Sequence, residues 1–118
     1  MLQNLGQGYS GVRLCVLEQI RQCLNLGVIP WAPGEGKCRL FKPEAHMALV
    51  LTGRGKAWSG GELLSGAEAL KKVGLSPLEL SSKEGLALVS GTTSPTAMAA
   101  IALYDFLKAA RTADVIGA

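Results

Sequence analysis

His46 is the sole histidine of the chain, and Cys15, Cys23 and Cys38 are its thiols. These side chains bound the nucleophilic and metal chemistry open to it. A Ser–His–Asp or Cys–His set would have to be assembled around His46. No local motif marks a nucleophile, so the structural reading of this histidine is favoured. Cys23, Cys38 and His46 carry zinc-type donors, but their spacings of 15 and 8 match no zinc pattern, and Cys-x-x-Cys is absent. Metal binding is therefore not expected. Gly34-Glu35-Gly36-Lys37 is superficially like a phosphate loop. Trp31 stands where that loop needs its first glycine, and Cys38 stands where it needs Ser or Thr for magnesium. No apolar strand precedes it, and the reading fails. Gly53, Gly55, Gly60 and Gly61 do not form Gly-x-Gly-x-x-Gly and read as turn residues. Lys83-Glu84-Gly85 reads as the charged first turn of a helix, on a solvated face.

The elements that must position these residues are mostly helical. Tyr9 to Leu26 reads as a helix with Ser10 as N-cap and Gly27 as left-handed terminator. Val12, Val16, Ile20, Cys23 and Leu24 form its apolar stripe, with Glu18 and Arg21 or Gln22 opposite. Gly27 to Pro43, rich in proline and glycine, reads as a long loop of the kind that carries function or motion. Ala45 to Thr52 reads as a short helix, and Gly53 to Leu64 as a small β-ribbon. Ser65 to Val73 reads as a helix with a Ser65/Glu68 capping box, ended by Gly74. A proline-containing connector, Leu75 to Leu80, follows. Ser82 to about Val115 is helical, with Gly91 and Pro95 implying either two helices or one kinked helix. The small residues Ala97, Ala99, Ala100 and Ala102 suit close helix packing. No internal repeat is present.

At 118 residues the chain is expected to be one domain or a piece of a larger one. Apolar residues make up 48%, which argues against disorder, and charged residues only 18%, which leaves apolar faces in need of a partner. A net charge of +3 with scattered Lys and Arg, and no aromatic stacking platform, excludes a nucleic-acid binder on composition. No apolar run approaches the ~18 residues of a membrane span, and Met1 to Arg13 lacks a signal-peptide layout. Three unpaired cysteines suggest reduced thiols and a cytoplasmic location. On a helix Cys15 and Cys23 stand ~12 Å apart, too far for a disulfide.

Four stretches in order go further. They are Gly8-Tyr9-Ser10-Gly11-Val12-Arg13, Pro43-Glu44-Ala45-His46-Met47-Ala48-Leu49, Gly53-Arg54-Gly55-Lys56-Ala57 and Lys83-Glu84-Gly85-Leu86-Ala87-Leu88. Leu24 to Pro30 and Glu68 to Leu78 agree as well. In register, over essentially all 118 residues, the chain resembles the histidine and phenylalanine ammonia-lyase family. The resemblance implies a mainly α fold, this chain being a partial domain over residues 1–118: a fragment of a lyase-like helical bundle with a small β-ribbon. It implies non-oxidative elimination of ammonia from an L-amino acid. The family uses a methylidene-imidazolone electrophile, self-formed from Ala-Ser-Gly, which acts as an electron sink for a weakly acidic proton and a poor leaving group. It also implies homotetramers whose active sites draw on several subunits, hence self-association through helices, with a small amino acid as ligand of a complete member.

Against that pattern the chain departs at the chemistry. The family loop carries Gly-Ser-Val-Gly-Ala-Ser-Gly-Asp-Leu-Ala-Pro before the Ala-His-Met stretch. Here six residues, Lys37 to Lys42, separate Gly36 from Pro43 where the family has nine, and no Ala-Ser-Gly lies between Gly27 and Ala45. The expected catalytic set is therefore empty, with no cofactor formed. Where the family has Asn-Gly-Thr-Gln, this chain has Ser90-Gly91-Thr92-Thr93. Ser90, Gly91 and Thr92 become the substrate-pocket residues by resemblance, and the Ser90 hydroxyl cannot replace an amide's donor–acceptor pair. Family members are several times longer. Their catalytic tyrosine, substrate-selecting position and carboxylate-holding arginine are expected outside these residues. A compensated frameshift between Gly36 and Pro43 would account for the altered loop. The expectation is a scaffold piece without lyase activity of its own, the competing reading being a non-catalytic assembly or ligand-binding module. An aminomutase ranks last, since it needs the same electrophile.

Overall fold

The computed structural model describes residues 1–33 and 43–117. In chain order it contains α1 (Leu2–Leu5), α2 (Leu14–Asn25), β1 (Ile29–Pro30), α3 (Pro43–Leu51), β2 (Lys56–Ser59), β3 (Glu62–Ser65), α4 (Gly66–Lys72), α5 (Glu84–Val89) and α6 (Thr93–Gly117). The architecture is mainly helical with one small antiparallel sheet, as the sequence leads one to expect.

Helix α2 starts later than its apolar pattern suggests, and Ser10 does not cap it. Gly8 and Gly11 both take positive φ, +84° and +63°, a backbone that cannot continue a right-handed helix. Arg13 is the N-cap instead, with no side-chain cap bond of its own. The C-terminus follows the expected rule. Gly27 is left-handed at φ +69°, and the N–H of Val28 donates to the Cys23 carbonyl at 2.9 Å. That is a Schellman closure, with the two side chains meeting in the core. Of the forecast stripe, Val16, Ile20 and Cys23 are buried, Val12 is partly buried and Leu24 is exposed. Gln19 is buried in addition. Its Nε2 donates to the Ser76 carbonyl at 2.9 Å and the Leu51 carbonyl at 3.4 Å, tying α2 to the 75–80 connector and to α3.

The β-ribbon gains a third strand. The sheet order is β1-β2-β3, with Ile29 opposite Trp58 and Trp58 opposite Leu63. Part of the expected Gly27–Pro43 loop is thus strand; the rest, from Gly34, lies outside the described residues. Ala57 turns inward while Lys56 and Trp58 face out. Helix α4 has its capping box, Ser65 Oγ accepting from Glu68 N at 3.3 Å and Glu68 Oε2 from Ser65 N at 3.1 Å. It ends at a left-handed Gly74, φ +75°. Gly66, the first residue of α4, packs against the turn before β2: a Cβ there would stand 2.2 Å from the Arg54 carbonyl oxygen. The core joins α2, α3, α4 and α5, with Val16, Val50, Leu70 and Leu88 at its centre.

The C-terminal helical stretch resolves into two helices. Ser90 is extended at φ −88°, ψ 143° and Gly91 has φ +112°, which breaks the helix. Pro95 does not kink α6, because it occupies the first turn, where no intrahelical N–H is required. Helix α6 buries none of its 25 residues. By length and composition alone, Glu84–Gly117 is long and apolar enough to cross a membrane, with a hydropathy of 1.4 in its best window. That corrects the sequence expectation of no such run. The break at Ser90–Thr92 falls inside this stretch and opposes a span, since each freed backbone group is costly in lipid.

Candidate functional site

The break between α5 and α6 places Ser90, Gly91 and Thr92 on the surface. Ser90 closes α5 by donating its N–H to the Leu86 carbonyl at 2.9 Å, and the Thr92 carbonyl accepts from Thr96 N at 3.0 Å to open α6. Ser90 joins Asn4, Tyr9, Ser10 and Lys83 around a cavity of about 240 Å³. The first and last of the family-like motifs are thus neighbours in space. Thr92 instead lines a shallower cleft with Gln3, Asn4 and Gln7, and Gly91 lines neither. The structure therefore brings together one of the three pocket residues and an unforeseen set from the N-terminal motif. That set offers hydroxyls, an amide and one ammonium, so it can hydrogen-bond a polar ligand. No carboxylate, imidazole or thiol lines the cavity; the proton-carrying side chains there are the Tyr9 phenol and the Lys83 ammonium.

Two buried carboxylates bracket the break. Glu84 opens α5 and is 2% exposed, overturning its reading as a solvated first-turn charge. Its Oε1 accepts from Arg13 N at 3.0 Å and Arg13 Nε at 2.9 Å. Its Oε2 accepts from Arg13 Nη2 at 2.9 Å and Ser81 N at 2.7 Å. The guanidinium of Arg13, then the backbone N–H of Ser81 and of Arg13 itself, hold this carboxyl at about 2, well below the usual carboxylate range, while burial opposes them. Arg13 also donates to the Glu79 carbonyl at 2.7 Å. Lys83, the N-cap, accepts a left-handed backbone, φ 74°, to aim Glu84 inward. Glu44, on α3, is 3% exposed and its Oε1 accepts from Ser94 N at 2.7 Å. It caps α6 from another element. Sequence reading placed both glutamates in motifs but did not assign them these roles. Sequence distances of 71 and 50 residues hide the pairings.

The remaining candidates are dispersed. His46 is half-buried on α3 and Cys23 is fully in the core, where burial pushes its thiol up. Cys15 is exposed on α2. Cys38 and the Lys37–Lys42 segment, with the proposed frameshift, lie outside the described residues. No group of three metal-capable side chains stands together among the described residues. The tripeptide that the resemblance implies for the electrophile is not among this chain's residues. The chain's Ser-Gly pairs, at Ser10, Ser59, Ser65 and Ser90, follow Tyr9, Trp58, Leu64 and Val89 and never alanine.

Comparison with known proteins bears on the family and the fold. The sequence model of the aromatic amino acid lyase family matches residues 1–118. Histidine ammonia-lyase of Streptococcus pyogenes serotype M49 (strain NZ131) is 45% identical over 120 residues, covering 99% of this chain and 23% of that protein. The crystal structure of phenylalanine ammonia lyase from Rhodosporidium toruloides matches with a TM-score of 0.80 at 34% identity, covering 88% of this chain and 17% of that one. Phenylalanine aminomutase of Pantoea agglomerans matches with a TM-score of 0.72 at 43% identity, over 77% of this chain and 18% of that one. The chain thus spans less than a quarter of the length of the curated relatives it matches. Taken with the helical scaffold and the motif order, these matches show that the chain belongs to the aromatic amino acid lyase family.

Proposed function

We propose that this chain is a scaffold segment of a histidine or aromatic amino acid ammonia-lyase, and that by itself it does not eliminate ammonia. The observation that carries the reading is the loop: without Ala-Ser-Gly there is no precursor for the electron sink. In a complete family member the region of Ser90 would face an amino acid. Here the Ser90 hydroxyl replaces an amide and offers fewer hydrogen bonds to it. The bacterial histidine ammonia-lyase relatives and the unpaired cysteines favour a cytoplasmic setting.

Self-association through helices is part of the proposal. Helix α6 exposes Met98, Ile101, Leu103, Tyr104 and Phe106, and α2 exposes Leu14 and Leu24. Apolar area of that extent, unburied within the chain, favours partners. It also keeps the second reading open, a non-catalytic assembly or ligand-binding module on the lyase scaffold. An aminomutase remains the last choice despite the Pantoea agglomerans match, since it depends on the same electrophile.

The test is to incubate the purified chain with L-histidine and with L-phenylalanine and to follow urocanate and cinnamate by absorbance. No product above the enzyme-free rate is expected. Measurable formation of either overturns the reading of inactivity. Light scattering on the same sample tests the self-association that both readings share: a monodisperse oligomer supports it, and a monomer overturns it.

A further inference from the structure

We infer that Glu44 and Glu84 are positioning residues that together set the Ser90–Gly91–Thr92 segment, one from each side of the helix break. This rests on the reading of that segment as the substrate-facing one. The geometry is specific. A break of three residues between two helices has two degrees of placement, the direction of the helix entering it and the direction of the helix leaving it. Glu84 governs the first. Its two oxygens are shared among Arg13 N, Arg13 Nε, Arg13 Nη2 and Ser81 N, all between 2.7 and 3.0 Å, so the start of α5 is bound to the start of α2 and to the connector. Glu44 governs the second, holding the first turn of α6 through Ser94 N at 2.7 Å. Helix α6 buries no residue of its own.

Both carboxylates are 2–3% exposed, and a buried charge is retained only where its partners compensate desolvation. Apolar side chains would fill the same space, but they would not fix direction, because only hydrogen bonds to charged acceptors are both strong and oriented. Glu44 also follows directly on Pro43, the first residue of α3, so the anchor of α6 sits at the start of that helix. Between α5 and α6 lies Gly91, whose φ of +112° makes it the pivot that both anchors aim.

Hydrogen exchange of the full chain, read amide by amide by NMR, tests this in Glu84→Gln and Glu44→Gln. Exchange at Ser90 and Ser94, whose N–H groups are bonded to the Leu86 carbonyl and to Glu44 Oε1, is expected to quicken roughly ten- to a hundred-fold, the effect of weakening a hydrogen bond to a charged group. The amides of β2, β3 and α4 are expected to keep their wild-type rates. Glu84→Gln should act first on Ser90 and Glu44→Gln first on Ser94. If a glutamine variant fails to fold, Arg13→Lys, which keeps the charge and removes the fork, supplies the same readout for α5. A uniform rise across all amides makes these residues general stabilisers and overturns the inference, as does unchanged exchange at Ser90 and Ser94. Product formation in the lyase assay would overturn the inactivity reading instead and leave this exchange pattern as its own test.

Discussion

Glu84 shows how much one side chain decides in a small fold. Its carboxyl falls from an ordinary 4.5 to about 2 because Arg13, then Ser81 N–H, favour the charged form. A depressed folded pKa contributes stability that is complete above about 4.5 and is lost as pH falls through about 2. Urea midpoints measured from pH 7 to pH 2 should therefore drop for the wild type. Glu18, Glu62 and Glu68 shift the same way through Arg21, Lys72 and Ser65, so the Glu84 share is the part of that drop missing from Glu84→Gln. An identical pH dependence in the two proteins would show that the buried pair does not titrate as described. Gly66 makes a steric argument at the same scale. A methyl group 2.2 Å from the Arg54 carbonyl cannot be accommodated without moving backbone. Gly66→Ala should thus lower the thermal midpoint far more than Gly27→Ala. There the space is open and only the left-handed φ of +69° is strained, at about 1–2 kcal/mol. Circular dichroism melts of the pair check the order.

Among the elements, α4 illustrates local sequence acting almost alone. Ser65, Glu68 and Gly74 define both ends of a seven-residue helix that propensity would not sustain. Removing the cap by Ser65→Ala should cost about 1 kcal/mol, read as a shift of the urea midpoint at constant slope. No shift would mean that the packing of Ala69 and Leu70 holds the helix without its cap. Helix α2 is the contrary case. Its apolar period runs back through Val12, yet glycines at positive φ delay it and Arg13, tied to Glu84, becomes its first boundary. Pro95 and Gly91 looked like equivalent interruptions of one helix. The proline fell in a first turn and was harmless, while the glycine became the break.

At the scale of the molecule the long axis of 57 Å reflects α6, whose 25 residues extend about 38 Å at 1.5 Å each. Leu103 and Phe106 are 57% and 67% exposed on it, which is too much apolar surface for a helix working alone. A Leu103→Glu, Phe106→Glu double variant should shift the light-scattering mass of the chain to the monomer while leaving the far-ultraviolet spectrum unchanged. A mass equal to that of the wild type would remove α6 from the self-association proposal.

The sequence by itself determined the family, the helical class and some element ends, those of α4 and the close of α2 among them, because caps, left-handed glycines and apolar periods are local signals written in consecutive residues. Motif order carried the lyase resemblance, and the missing Ala-Ser-Gly was legible without coordinates because that chemistry requires three adjacent residues. Only the tertiary structure decided the rest. It joined Arg13 to Glu84 and Glu44 to Ser94, buried a charge that reads as surface, turned Ile29–Pro30 into a third strand, and brought Tyr9 and Ser10 beside Ser90 while leaving Gly91 outside that cavity. The physical reason is common to all of these. Each depends on which groups leave water together, and that is set by packing between segments far apart in the chain.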